Sequence, residues 1–167
     1  MAAHKEFKVA VTKDYLVFAS AHFITFPGHR CEKLHGHNYR TRVVVEGGLD
    51  PEAHYVVDFS MLKDLMKQLT DEIDHRVLLP LQSTKIQVRE EGDTVRVAVG
   101  GKPRYVFPRA DCALLPVPNT TVEMLAQYLA GRLSKTLAAS GGVAMRAVEV
   151  EVEENFGQSA TYRESLE

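Results

Sequence analysis

Residues 148–154 read Val148-Glu149-Val150-Glu151-Val152-Glu153-Glu154. Valine and glutamate alternate with a period of two, the signature of a β-strand with one dry and one wet face. A strand of that kind needs neighbours, and the rest of the chain supplies them. Downstream, a turn at Gly157 leads into a last strand reaching Tyr162. Upstream, the run from Arg40 through Val43-Val44-Val45 ends as a strand at Gly47-Gly48. Before it come an extended segment with Phe7, Val9 and Val11 in phase and another from Leu16 to Ile24.

Two amphipathic helices lie between these strands. Leu62, Leu65, Met66, Leu69 and Ile73 follow helical spacing from a start near Ser60, and Pro80 closes that region. Leu125, Leu129, Leu133 and Leu137 form the stripe of a second helix, which starts near Thr120 and stops before Ser140-Gly141-Gly142. Residues 85–99 read as a hairpin, with Ile86 and Val88, a turn at Glu91-Gly92-Asp93, then Val95, Val97 and Val99. The order predicts an α+β fold, a four-stranded antiparallel sheet with two helices on one face. Such a sheet has open edges, which pairing with another subunit would close.

With 167 residues, 45% hydrophobic and 25% charged, the chain is expected to form one domain over 1–167. A net charge of −2 gives no basic excess for nucleic acid, and no apolar run is long enough to span a membrane. The first twenty residues are interrupted by charge too often for a signal-peptide apolar segment. Two cysteines, Cys31 and Cys112, exclude a disulfide scaffold and point to a reducing cytoplasm, with Cys112 expected to fill a loop.

The strongest chemical signal is His22 together with Cys31-Glu32-Lys33-Leu34-His35-Gly36-His37. In extended backbone His35 and His37 project to one side, about 7 Å apart along the chain. They could close on one ion, with Gly36 leaving room for its approach. His22 follows the apolar phase of Phe18 in a neighbouring segment and is the natural third ligand. Three imidazoles and no fourth protein ligand describe a catalytic zinc site with one open position. A lone His-x-His is otherwise most simply a pair of turn residues at the surface. Cys31 is flanked by His29, Arg30 and Lys33, cations that lower a thiol pKa. It fits either a fourth ligand, which would close the shell, or a nucleophile or base beside an open zinc, and spacing does not choose between them.

These residues carry a resemblance. Phe18-Ala-Ser-Ala-His22, Cys31-x-x-x-His35-Gly-His37, Val57-Asp58-Phe59, Asp74-His75, Asn119-Thr-Thr-Val-Glu123 and Glu154 together resemble the 6-pyruvoyltetrahydropterin synthase / 6-carboxytetrahydropterin synthase family, over about residues 7 to 164. The resemblance implies the tunnelling fold, with three subunits closing a β-barrel and two trimers stacking into a homo-hexamer. It implies a pterin triphosphate substrate, 7,8-dihydroneopterin triphosphate, with Zn2+ held by His22, His35 and His37 and acting as a Lewis acid on the side-chain hydroxyls. Cys31 would be the general base and Asp74 with His75 the proton relay. Adjacent helical residues do not face one another, so that pair is expected to cooperate at a frayed helix end or across a subunit boundary. A polar helix terminus followed by core residues Val77-Leu78-Leu79 is the plainer reading.

Glu154 continues the buried phase of Val148, Val150 and Val152, where a carboxylate needs donors. The 2-amino and ring N–H of a pterin match one carboxylate bidentately, and the resemblance implies that role; a glutamate turning to solvent at the strand end is the alternative. Glu123 fits a capping box, Thr120-x-x-Glu123, which explains it fully, although the resemblance also places a glutamate near the pterin. Arg30 and Lys33 fit a solvated basic turn better than a triphosphate site.

The short Cys31-to-His35 spacing resembles the carboxy branch, which makes 6-carboxy-5,6,7,8-tetrahydropterin with loss of acetaldehyde on the way to queuosine-type deazapurine tRNA bases. The pyruvoyl branch is the alternative. Glu32 keeps open an aldol-type cleavage of dihydroneopterin. A non-catalytic zinc-binding oligomer, with Cys31 closing the shell, is the alternative from another class. The extra segment 85–107 is expected to cover the pocket, alter tail preference or decorate the surface, with its apolar face packed on something such as a neighbouring subunit.

Overall fold

The computed structural model describes residues 6–12, 16–140 and 145–166. The valine–glutamate run lies in β9 (Met145–Asn155), which pairs antiparallel with β10 (Gln158–Ser165) on one edge and with β3 (His35–Gly47) on the other. The other edge of β3 takes β2 (Val17–His22) along its first half and β1 (Phe7–Val11) along its second. The sheet is larger than the four strands expected. β4 (Arg76–Pro80) pairs parallel with β2, and β8 (Cys112–Leu115) pairs parallel with β4, giving seven strands of mixed direction. Val77-Leu78-Leu79 and Cys112-Ala113-Leu114-Leu115 show no alternation, because strands covered on both faces read as continuous apolar runs. Cys112 is therefore a buried strand residue rather than a loop filler.

The two helices form where the apolar stripes place them. Helix α1 (Phe59–Asp71) starts at Asp58, whose Oδ1 accepts from the amides of Ser60 at 2.6 Å and Met61 at 3.3 Å. Helix α2 (Val122–Ala139) ends at Ser140; Gly141 and Gly142 lie outside the described residues. Leu62, Met66 and Leu69 of α1 share one core with Leu125, Leu129, Leu133 and Leu137 of α2. Tyr39, Val43 and Val45 of β3 and Val148, Val150 and Val152 of β9 complete it, so both helices cover the same sheet face. The opposite face carries Arg40, Arg42, Glu149 and Glu151, in register as Arg42↔Glu151 and Val44↔Glu149.

Between the helices the extra segment is a three-stranded meander, not a two-stranded hairpin: β5 (Ile86–Glu91), β6 (Thr94–Val99) and β7 (Lys102–Pro108). Its apolar face packs within the chain. Ile86, Val95 and Val97 join Phe23, Leu79 and Cys112 in a second core, against which Cys31, Leu34, Tyr105 and Phe107 also pack. Burying Phe23 fully contributes about 2–3 kcal/mol to the core that joins the meander to the end of β2 carrying His22. Among the described residues no helix is long and apolar enough to cross a membrane.

Candidate active site

His22 and His35 are the last cross-strand pair of the β2–β3 ladder, and His37 is two residues on, on the same face. The ring centroids are 4.9 Å apart for His22 and His35, 5.2 Å for His22 and His37, and 4.8 Å for His35 and His37. One nitrogen from each ring lies within 4.8 Å of the other two, so the three could hold a metal ion. The group contains no sulfur ligand. Gly36 faces the opposite side of the sheet from the imidazoles, so it does not make room for an ion; an added Cβ would meet the Ser20 carbonyl at 3.4 Å.

Two of the rings are oriented by main-chain carbonyls. His22 Nδ1 is 2.8 Å from the Thr120 carbonyl and His35 Nδ1 is 2.9 Å from the Lys33 carbonyl. A carbonyl can only accept, so each Nδ1 carries the proton and each Nε2 keeps a free lone pair for a metal. His22 is 2% exposed, and burial pushes its imidazole down to about 4 against the opposing effect of the Thr120 carbonyl. It is therefore neutral at pH 7, the form that ligates. The donor set is three imidazole nitrogens, a type that suits zinc.

Thr120 is held in turn by Asn119, whose side chain bonds the Thr25 carbonyl at 3.1 Å and accepts from the Thr120 amide at 3.1 Å. The motif from Asn119 onward thus acts through Asn119 and the Thr120 carbonyl, a role that sequence reasoning missed. The expected capping box is not formed: the α2 N-cap is Thr121, with no side-chain cap, and Thr120 is fully buried. Glu123 is exposed in the first turn, where the helix dipole favours a carboxylate.

Cys31 lies on the segment leading into β3, half-buried against the second core. Burial pushes its thiol up, the Glu32 carboxylate adds to this, and the opposing cation is Arg104 of β7. Arg30 and Lys33 do not supply that charge, although they are adjacent in sequence; the Arg30 guanidinium instead lies over the Phe26 ring at 5.6 Å. The His29 side chain lies outside the described residues. Glu32 Oε2 is 3.9 Å from His35 Nε2, so a carboxylate as well as a thiol sits beside the histidines.

Asp74 and His75 do pair, though not on a helix. They occupy the turn between α1 and β4, and His75 takes a left-handed φ of 54°. That conformation swings its Nδ1 to 2.8 Å from Asp74 Oδ2, while the His75 amide donates to the Ala19 carbonyl at 2.6 Å. Asp74 Oδ1 accepts from the Ala19 amide at 2.7 Å. Burial works to raise the Asp74 carboxyl, but the Ala19 amide and His75 outweigh it and hold it below its usual value.

The residues do not all line one cavity. His75 borders a cleft of about 510 Å³ with Ala19, Gly36 and His37. Glu154 borders another, of about 260 Å³, with His37, Arg40 and Phe156. His37 is common to both. Glu154 does not simply continue the alternation. Ser159 pairs with Glu153 and Gln158 with Asn155, so Glu154 is the extra residue of a β-bulge, a device that re-aims a side chain. Glu153 is the more buried of the two, opposite to expectation. Beneath the histidines, Tyr39 is fully buried, and burial, with the Glu154 carboxylate adding to it, holds its phenol well above the usual value.

A model of the 6-pyruvoyl tetrahydropterin synthase family matches residues 10–165. The chain belongs to this family. A relative from Methanocaldococcus jannaschii, provisionally named a 6-carboxy-5,6,7,8-tetrahydropterin synthase, is 35% identical over 152 residues, 91% of this chain and 92% of its own. The Aquifex aeolicus 6-carboxy-5,6,7,8-tetrahydropterin synthase is 28% identical, covering 83% of this chain and 78% of its own. Among solved structures, Plasmodium vivax 6-pyruvoyltetrahydropterin synthase superposes with a TM-score of 0.88 at 28% identity, covering 96% of this chain and 99% of that one. That structure is of a variant in which a catalytic glutamate is replaced by alanine.

Proposed function

We propose that this family member is a zinc-dependent lyase that converts 7,8-dihydroneopterin triphosphate to 6-carboxy-5,6,7,8-tetrahydropterin, releasing triphosphate and acetaldehyde. The observation that carries the reading is the set of three imidazoles, two with Nδ1 committed to carbonyls and Nε2 free, together with the carboxy-branch names of its relatives. Zinc held by His22, His35 and His37 would supply Lewis-acid polarisation of the substrate's side-chain hydroxyls. Cys31 would take the carbon-bound proton. His75, its tautomer held by Asp74, would exchange a proton with a side-chain hydroxyl. Glu154 would bind the pterin amino and ring N–H groups. Glu123 is the weakest of the assigned residues, being exposed at a helix start.

Residues 1–167 would then act as one pterin-synthase-like unit in the cytoplasm, with the meander inserted in it. Resemblance to the family implies a homo-hexamer, a dimer of trimers, in which neighbouring copies would complete the clefts at His75 and Glu154; light scattering would measure it. Purified, zinc-loaded protein incubated with 7,8-dihydroneopterin triphosphate should yield a carboxylated tetrahydropterin by mass and acetaldehyde in solution. A pyruvoyl product without acetaldehyde would select triphosphate elimination alone. No conversion would favour a non-catalytic zinc protein.

One observation favours a second reading. Glu32 lies 3.9 Å from His35, and a glutamate is catalytic in the Plasmodium vivax relative. An aldol-type cleavage giving a hydroxymethyl pterin, lost in Glu32→Gln and kept in Cys31→Ala, would establish it.

A further inference from the structure

The segment from Ile24 to Leu34 has few ties of its own. Its main chain closes on itself through Phe26 N to the Arg30 carbonyl at 2.9 Å and Glu32 N to the Ile24 carbonyl at 3.0 Å, with a lone bridge between Thr25 and Cys31. Asn119 ties its start at Thr25, and the Lys33 carbonyl accepts from His35, while the residues on either side of Cys31 are held by the meander and its leading residue. Lys85 Nζ donates to the Phe26 carbonyl at 2.8 Å. Arg104 Nη2 donates to the Glu32 carbonyl at 2.7 Å. The Tyr105 hydroxyl accepts from the Leu34 amide at 3.3 Å. Cys31 and Leu34 also pack on the core that the meander closes. Three hydrogen bonds from one inserted unit thus bracket the thiol on both sides.

We propose that the β5–β7 meander is a clamp on the Cys31–Leu34 segment, and that Arg104 is a positioning residue that holds Cys31 and Glu32 against the histidine cluster. Two charged side chains act on the thiol, Glu32 from its own segment and Arg104 from β7, and they have opposite sign. Arg104 therefore both ties down the segment and is the cation that favours the thiolate. Its consequence for turnover rests on the reading of Cys31 as the base; the clamp itself does not.

The test uses full-length, metal-loaded protein with Arg104→Met, which keeps an apolar stem, Arg104→Lys, which keeps the charge, and Tyr105→Phe. Alkylation of Cys31 by iodoacetamide is followed against pH by peptide mass, alongside kcat and KM for 7,8-dihydroneopterin triphosphate. Arg104→Met is expected to move the alkylation midpoint upward and slow the reaction at neutral pH by about threefold. It should lower kcat about tenfold while KM stays within about twofold, because misplacing a base affects the chemical step more than binding. Arg104→Lys should recover most of the alkylation profile, and Tyr105→Phe should move it in the same direction as Arg104→Met by less. Profiles that superimpose on the parent in both Arg104→Met and Tyr105→Phe overturn the proposal; an unchanged kcat in an enzyme that Cys31→Ala inactivates overturns the positioning role of Arg104. The alkylation measurement needs no turnover, so a parent protein inert toward the pterin would sink the proposed reaction and leave the clamp to be judged on the thiol.

Discussion

His22, His35 and His37 sit on strands paired in unbroken register from Val17↔Arg40 to His22↔His35, whereas Cys31 sits on a segment with one isolated bridge to Thr25. The imidazoles converge through the ladder, with His35 oriented by the nearby Lys33 carbonyl and His22 by the Thr120 carbonyl at the start of α2. The thiol, nine residues along the chain from His22, depends on a meander whose nearest contact comes from a residue 72 positions beyond Glu32. Ligands on paired strands inherit the precision of the sheet; a reactive group on a connecting segment must be held by whatever packs on it.

That contrast can be broken at several points. The largest effect is expected for His37→Ala. Removing one of the three imidazoles should weaken zinc binding by at least about a hundredfold and abolish turnover, checked by metal analysis and competition with a chelator. Next is Cys31→Ala, expected to lower kcat by about 10²–10⁴-fold while zinc content and thermal unfolding match the parent. Loss of zinc in that variant would instead place sulfur in the metal shell.

The third prediction concerns the metal-free protein. The His22 imidazole titrates at about 4 in the fold, against about 6.5 when unfolded, so between these values the unfolded chain binds the extra proton. Stability from this group is complete above pH 6.5, falls as the pH drops, and is gone below about 4. The full change is on the order of 3 kcal/mol. Urea midpoints of chelated protein across that range should track it, and His22→Gln should flatten the dependence. The smallest effect is for Asp74→Asn, expected to cost about tenfold in kcat by loosening the His75 tautomer, with zinc unchanged.

Much of the candidate metal site was legible in the chain because its geometry is short-range. Alternation puts His35 and His37 on one face, and the phase of Phe18 puts His22 opposite them. Alternation failed at Glu154, since a bulge adds a residue without any mark in the valine–glutamate pattern. It was silent on β4 and β8, whose apolar runs are covered on both faces. Helical spacing placed both helices, yet suggested that Asp74 and His75 could not face each other on one; the left-handed backbone at His75 brings them together.

The strand periods, the helix stripes and the shared face of His35 and His37 belong to the linear order of residues, because each depends on neighbours within a few positions. The charge beside Cys31, the carbonyl that orients His22 and the division of His75 and Glu154 between two clefts emerged only on folding. Each depends on surfaces from distant parts of the chain meeting, and no local periodicity encodes which surfaces meet.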